Sequence, residues 1–430
     1  MGDTPLHGLS TINPWGGLRT AAVAAVITFM VLCARKTPDM VDYTRVPTWL
    51  EYSFRITMSN WLRKAADALV PPANRLLSRA FDLNQLIAIY CCAKVEWPDL
   101  LGSGPRSGRF LASHANMSRT MTRRLLRACV VAGIFVEAKF SRDDIDDDKR
   151  IYSNTDMGDA LRSNNPYSMK HYIQLQVEDM APGHMQMWNA LKNDSTIPFA
   201  LAHGYPHTPR SFWRYFSDRP VQSIQFQKGM TGVDLLSAGA LVHDFPWGAK
   251  CSTVVDMGGG LGSFLARVLA PNPAMRGLLF EVPSVVDQAE AYWADKHRDL
   301  LPRTSFSRGD FFDAATIPAS EGGGTCFVLK VVLHDWDDAS VVAILRNVAA
   351  RMAAGGRVVV PSVVQVVPET QRDRPLFDLQ MRVLGGRERS VADFRRLFAT
   401  AGLMVTKAHP TRSIFTIVEG NLATPPERAL

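Results

Sequence analysis

A strand-like run, Thr253-Val254-Val255, ends in Asp256 and is followed by Gly258, Gly259, Gly260 and Gly262. Glycines at such a place let the backbone turn sharply and let a ligand approach without a side chain in the way. The lysine followed by serine or threonine of a phosphate-binding loop is missing. The loop therefore reads as a generic nucleotide-type turn, and a dinucleotide fold stays open at this point. Glu281 follows at roughly the 20-residue interval expected of a carboxylate that accepts from ribose hydroxyls. Asp310 and Phe311 stand at the next expected strand end, where an acid accepts from an adenine amino group and an aromatic ring flanks it. A fourth apolar run reaches Lys330, and His334-Asp335 lies just past its end. Ligands of an open parallel sheet sit outside the carboxyl ends of its strands, which aims His334 at the crevice of the glycine loop. A side chain titrating near neutrality there can take a proton from a hydroxyl.

Those residues need a sheet to carry them. From Thr253 onward, short β-branched runs (Thr253–Val255, Gly277–Phe280, Cys326–Leu329, Arg357–Val360) alternate with helical segments, the pattern of a parallel sheet with crossover helices. Ahead of it, residues 166–243 read as helical and rich in methionine and aromatics, a stripe that is more often core than a pocket wall. Residues 49–165 read as helices with a β-wing: the arginine-rich helix from Met121 stops near Gly133, and Ser141–Arg150 forms a solvated hairpin tip. Residues 1–48 form a leader around the uncharged stretch Thr20–Ala34, which falls short of the ~20 apolar residues that cross a bilayer. Packing against a partner and touching a membrane both remain open for it.

Composition narrows the class. The chain has 430 residues, 47% apolar and 21% charged, enough to bury a sizeable core. Its net charge is +7, but the basic residues are dispersed without interleaved aromatics, which disfavours a nucleic-acid footprint. The six cysteines form no metal-like spacing and read as reduced core residues, which favours a cytoplasmic setting and no bound metal.

Taken in order, VVDMGGGLG, FEVPSVV, GDFF, LKVVLHDWDD and GGRERS resemble the plant-type small-molecule O-methyltransferases, the caffeic acid and acetylserotonin methyltransferase-like enzymes. The resemblance runs from about Asp82 to the C-terminus. It implies a Rossmann-like α/β domain (residues 244–430) that binds S-adenosyl-L-methionine, behind an N-terminal, all-helical, winged-helix-like dimerisation domain. It also implies a homodimer acting on a hydroxyl of a small, aromatic molecule. Carried onto this chain, Gly258 and Gly260 would line the cofactor loop after Asp256, Glu281 would hold the ribose, and Asp310 and Phe311 the adenine. Lys330 and Trp336 would lie beside the cofactor. His334 would be the general base, with Glu388 and Asp335 beside it. Phe226, Met230, Met381 and Trp188 would supply substrate-pocket side chains. Where plant members carry a second acid, this chain has Ser362, whose hydroxyl can bond an imidazole but cannot stabilise its charged form as a carboxylate does. A cofactor-fold protein without catalysis, methylation at nitrogen or carbon, and DNA binding through the wing are the competing readings.

Overall fold

The computed structural model describes residues 46–138, 150–365 and 373–423. The first region begins with helix α1 (Trp49–Ala68), capped by the Thr48 hydroxyl, which accepts from the Glu51 N–H, and helix α2 (Pro72–Lys94). Strand β1 (Arg106–Ser107), α3 (Gly108–His114) and α4 (Arg119–Val131) follow, with Ser107 and Ser118 capping the two helices. Gly133, at φ +75°, ends the helical stretch as its position implies. Beyond it β2 (Phe135–Glu137) pairs antiparallel with β3 (Ile151–Asn154), which also takes β1 on its other edge. The expected all-helical domain thus carries a small three-stranded sheet. Trp97, Leu111, Leu126, Cys129, Phe135 and Tyr152 bury the core between helices and sheet. Most of the expected hairpin tip and the apolar stretch Thr20–Ala34 lie outside the described residues. Among those described, no helix is long and apolar enough to cross a membrane.

The middle region is a series of helices, including α5 (Lys170–Leu175), α6 (Ser211–Ser217) and α7 (Pro220–Asp244), with a π-helical turn at Gln176–Met180. Helices α5 and α7 pack closely because α7 presents glycine. A Cβ on Gly229 would lie 3.1 Å from the Tyr172 nitrogen, and one on Gly232 would strike the Ser168 carbonyl. Tyr172, at this contact, lines the cavity described below.

The last region holds a seven-stranded sheet. Its strands are β4 (Thr253–Met257), β5 (Arg276–Glu281), β6 (Thr304–Arg308), β7 (Thr325–Val328), β8 (Arg357–Ser362), β11 (Leu403–Pro410) and β12 (Thr416–Leu422). They lie in the order β11-β12-β8-β7-β4-β5-β6, with a separate short parallel pair, β9 (Val364–Gln365) and β10 (Arg389–Ser390). The first five run parallel, and β12 alone runs opposite to them, antiparallel to both β8 and β11, so the sheet is mixed rather than wholly parallel. Crossovers α8 (Ser263–Leu269), α9 (Pro283–Lys296), α10 (Asp338–Arg351), α11 (Asp373–Leu384) and α12 (Val391–Thr400) cover its faces. Asp337 caps α10, and Ser390 with Asp393 forms a capping box on α12. Strand order reverses between β4 and β7, and the crevice at their carboxyl ends is where such a sheet takes ligands.

One sequence expectation fails in this domain. Cys251 and Cys326 are joined in a disulfide, whereas Cys91, Cys92 and Cys129 are free. Cys251 leads into β4 and Cys326 lies on β7, whose register pairs Cys326 with Val254. Strand adjacency brings together two cysteines that the sequence separates.

Candidate active site

Strand β4 delivers Asp256 to the crevice as a buried carboxylate whose Oδ2 has no partner among the described residues. Burial raises its pKa to about 7, with Asp234 adding to the rise and Lys330 opposing it. The loop that follows is a main-chain cradle. Gly258 and Gly260 have φ of +69° and +59°, and a Cβ on Gly260 would stand 2.8 Å from Gln227 Oε1. Glu281, at the end of β5, closes the cradle by accepting from the N–H groups of Gly260 (3.2 Å) and Val282 (2.8 Å). Burial lifts Glu281 to about 7 against the pull of those two donors. A cradle that a side chain would fill, with a carboxylate oxygen awaiting a donor, fits a nucleoside cofactor bearing hydroxyls.

Lys330 follows β7, but its charge is not free. Its Nζ lies 2.5 Å from Asp234 Oδ1, and Asp234 also accepts from the Ser263 hydroxyl at 2.6 Å. The rings of Phe264 and Phe415 each lie 5.6 Å from the ammonium. Asp234 sits on the cavity wall and escaped the sequence reading, because one acid in an apolar helical run carries no local signal.

The chain then turns through Val331, a β-branched residue at φ +56°, into a single 3-10 turn at Leu333–Asp335. Such a conformation is costly for valine and persists only where surroundings enforce it. Here the Val331 N–H donates to the Pro361 carbonyl at 3.0 Å, and Arg389 grips the turn. Buried Arg389 donates to the carbonyls of Leu333 and Trp336 at 2.7 Å each and pairs with Asp338 at 2.9 Å. Arg389 lies inside the GGRERS motif, yet the motif by itself points only to its neighbour Glu388.

His334 lines the cavity and is buried. Its Nδ1 is 2.7 Å from Glu388 Oε1, and its Nε2 is 3.5 Å from Asp335 Oδ1. Burial pushes the imidazole pKa down, but the charges of Glu388 and Asp335 outweigh it and carry the group to about 9. Burial also raises Asp335, to about 6, although the imidazolium pulls it down. Ser362 donates to Glu388 Oε2 at 3.4 Å, so it steadies the acid rather than meeting the imidazole as the sequence suggested. The second acid beside the base is Asp335.

The remaining candidates divide. Phe226, Met230 and Met381 line the cavity, together with Tyr172, Leu175, Met180 and Phe212. Trp188 does not. Its short helix, Met187–Ala190, lies at the surface, and the indole is 68% exposed under the Lys192 ammonium. Asp310, Phe311 and Trp336 stand outside the residues lining this cavity. The Phe311 ring lies behind Gly258 and faces Trp336 edge-on at 5.8 Å, while Asp310 pairs with Arg210 at 3.3 Å.

Comparison with known proteins gives this geometry a setting. Residues 184–404 match the family model of an O-methyltransferase domain, and residues 87–164 match an O-methyltransferase dimerisation domain. The chain is 33% identical to a mitomycin biosynthesis 6-O-methyltransferase of Streptomyces lavendulae, over 75% of this chain and 86% of that protein. It is 30% identical to a phenazine O-methyltransferase of Lysobacter antibioticus, over 77% and 91% of the two chains. Among solved structures, an O-methyltransferase of neocarzinostatin biosynthesis, in complex with S-adenosylmethionine and 2-hydroxy-5-methyl naphthoic acid, superimposes with a TM-score of 0.64. That match has 29% identity and covers 79% of this chain and 96% of that one.

Proposed function

This chain belongs to the O-methyltransferase family and takes S-adenosylmethionine as its methyl donor, and on that premise we propose that His334 is the base that receives the proton of a substrate hydroxyl. When bound, S-adenosylmethionine supplies a methyl group on a positively charged sulfur, a good leaving group. The acceptor is the hydroxyl of a small aromatic molecule. Asp256, Gly258, Gly260 and Glu281 hold the nucleoside, with Phe311 behind the loop and Asp310 and Trp336 beyond it. Lys330 and Asp234 form a neutral pair at the polar wall. Holding the reacting atoms in line is the larger contribution, on the order of 7–11 kcal/mol in well-oriented systems. The observation that carries the proposal is the buried His334–Glu388 contact of 2.7 Å on a wall shared with the glycine cradle.

Glu388 fixes the imidazole through Nδ1, which leaves Nε2 toward the substrate, and it stabilises the imidazolium that forms. The apolar walls exclude water from the transfer. Because the two acids hold His334 near pKa 9, the imidazole of the free protein carries a proton at neutral pH and becomes a base only as that proton leaves. The dimerisation segment, residues 87–164, supports a homodimer, and the boundaries at residues 48, 165 and 243 form part of the same reading.

His334→Ala tests the assignment. Turnover should fall about 10²–10⁴-fold, while calorimetry should find S-adenosylhomocysteine bound within about threefold of wild type. In the wild type, kcat/KM should rise with pH towards about 9, and the variant should lack that limb. Turnover that survives the substitution would remove His334 from the base role.

A further inference from the structure

The loop between β11 and β12, residues 411–415, meets the cavity at one end and the start of helix α1 at the other. Phe415 is buried and lines the cavity, and its ring lies 5.6 Å from the Lys330 ammonium that pairs with Asp234. The loop closes on itself. The Thr411 hydroxyl donates to the Phe415 carbonyl at 2.6 Å, and the Phe415 N–H donates to the Ser413 hydroxyl at 3.1 Å. Residues tied in this way shift together, so whatever holds Arg412 and Ser413 also holds Phe415.

Both are held from outside the loop. The Arg412 backbone N–H donates to Asp244 Oδ2 at 2.7 Å and its Nε to Oδ1 at 2.9 Å, on the last residue of α7, the helix that also carries Asp234. The same guanidinium donates to the Pro47 carbonyl at 2.6 Å and lies 5.6 Å from the Trp49 ring. The Tyr52 hydroxyl donates to the Ser413 carbonyl at 2.9 Å, across 361 positions of the chain. Helix α1 has no fully buried side chain, so these directional contacts, rather than a shared core, define where its start is attached. It also precedes residues 87–164, the part matched as a dimerisation domain.

Building on the cofactor reading, we propose that the start of α1 braces the active site, with Tyr52 and Arg412 as positioning residues that hold Phe415 against Lys330 and so fix the polar wall beside S-adenosylmethionine. Neither residue lines the cavity. Arginine suits the task because its planar fork serves the Asp244 carboxylate and the Pro47 carbonyl at once, and a lysine ammonium does not reproduce that geometry.

The test titrates the full chain with S-adenosylhomocysteine by calorimetry, in wild type, Tyr52→Phe, Arg412→Lys, Phe415→Leu and the double variant Tyr52→Phe with Phe415→Leu. Affinity should fall about threefold in Tyr52→Phe and about tenfold in Arg412→Lys. In the Phe415→Leu background, Tyr52→Phe should cost almost nothing further, because the two sites act through one another. A merely structural role would weaken both backgrounds alike. Unchanged affinity in Tyr52→Phe, or the same loss in both backgrounds, would overturn the proposal. Should Arg412→Lys fail to fold, Tyr52→Phe carries the test, since it removes a single oxygen. Amide exchange at Phe415 is measured alongside without ligand, and it should quicken in Tyr52→Phe. Quickened exchange in a protein that binds no S-adenosylhomocysteine would sink the cofactor reading and leave the brace standing. Unchanged exchange would sink the brace instead.

Discussion

The cofactor half of the cavity comes from consecutive strand ends, Asp256 to Lys330, while the acceptor half comes from helices as far apart in the chain as Tyr172 and Leu384. The first half is backbone and charge: glycines at positive φ, the Glu281 carboxylate on two N–H groups, and an ion pair. The second half is side-chain volume on α5, α6, α7 and α11. A site made of backbone leaves little freedom at each position, because a Cβ or a lost charge has nowhere to go. A wall made of apolar side chains can be redrawn by volume-conserving changes, and one catalytic scaffold can then serve many acceptors.

The sharpest way to probe the comparison is at the seam, where the base belongs to neither half. Glu388→Gln should lower kcat by about 10²–10⁴-fold, since an amide neither fixes the reactive tautomer nor stabilises the imidazolium. Without that charge, burial governs His334, and the rising limb of kcat/KM should move from about 9 towards the ordinary histidine range. A limb that stays near 9 would show that Asp335 alone holds the proton.

In the cofactor half, Gly260→Val sets a branched side chain at φ +59° against Gln227. S-adenosylhomocysteine affinity should fall about 10–100-fold, in line with ~1–2 kcal/mol of backbone strain plus the steric clash. Near-normal affinity by calorimetry would break the contrast between the halves. A smaller effect comes from protonation. Asp256 and Glu281, both raised to about 7 by burial, accept hydrogen bonds best when charged. Affinity for S-adenosylhomocysteine should weaken below pH 7 by up to about tenfold per pH unit for each carboxylate required. A flat profile between pH 5.5 and 8 would mean that neither charge is used.

The smallest effect belongs to the acceptor wall. Met381→Leu conserves volume in the buried cluster with Phe199, Phe212 and Phe226, so stability should change by less than about 1.5 kcal/mol. Relative rates among acceptors should shift more than cofactor affinity does. If cofactor binding changed more, the two halves would not be separable.

Legibility in the sequence divides along the same line. The glycine loop, Glu281 and the His334 turn are readable because strand, turn and functional residue are contiguous, and each motif explains its own geometry. Aromatic content marks a helix as apolar without saying which side faces inward, and Trp188 stands outside the residues lining this cavity. The Cys251–Cys326 pairing, the role of Asp234 beside Lys330 and the grip of Arg389 on the turn each depend on residues far apart in the chain. Ser362 looks like a missing acid, yet it supports Glu388, while Asp335 stands near Nε2.

By itself the sequence determined the alternation of strands and helices, the loop with no room for a side chain, and a base placed after a strand end. Periodicity, glycine and strand-end chemistry act over a few neighbouring residues, so the chain states them locally. Tertiary structure decided the antiparallel course of β12, the partners that set the charge of His334, and the pairing of Lys330 with Asp234. Those properties arise from burial and from distances between elements packed together, and a pKa or an unsatisfied donor exists only once that packing has removed water.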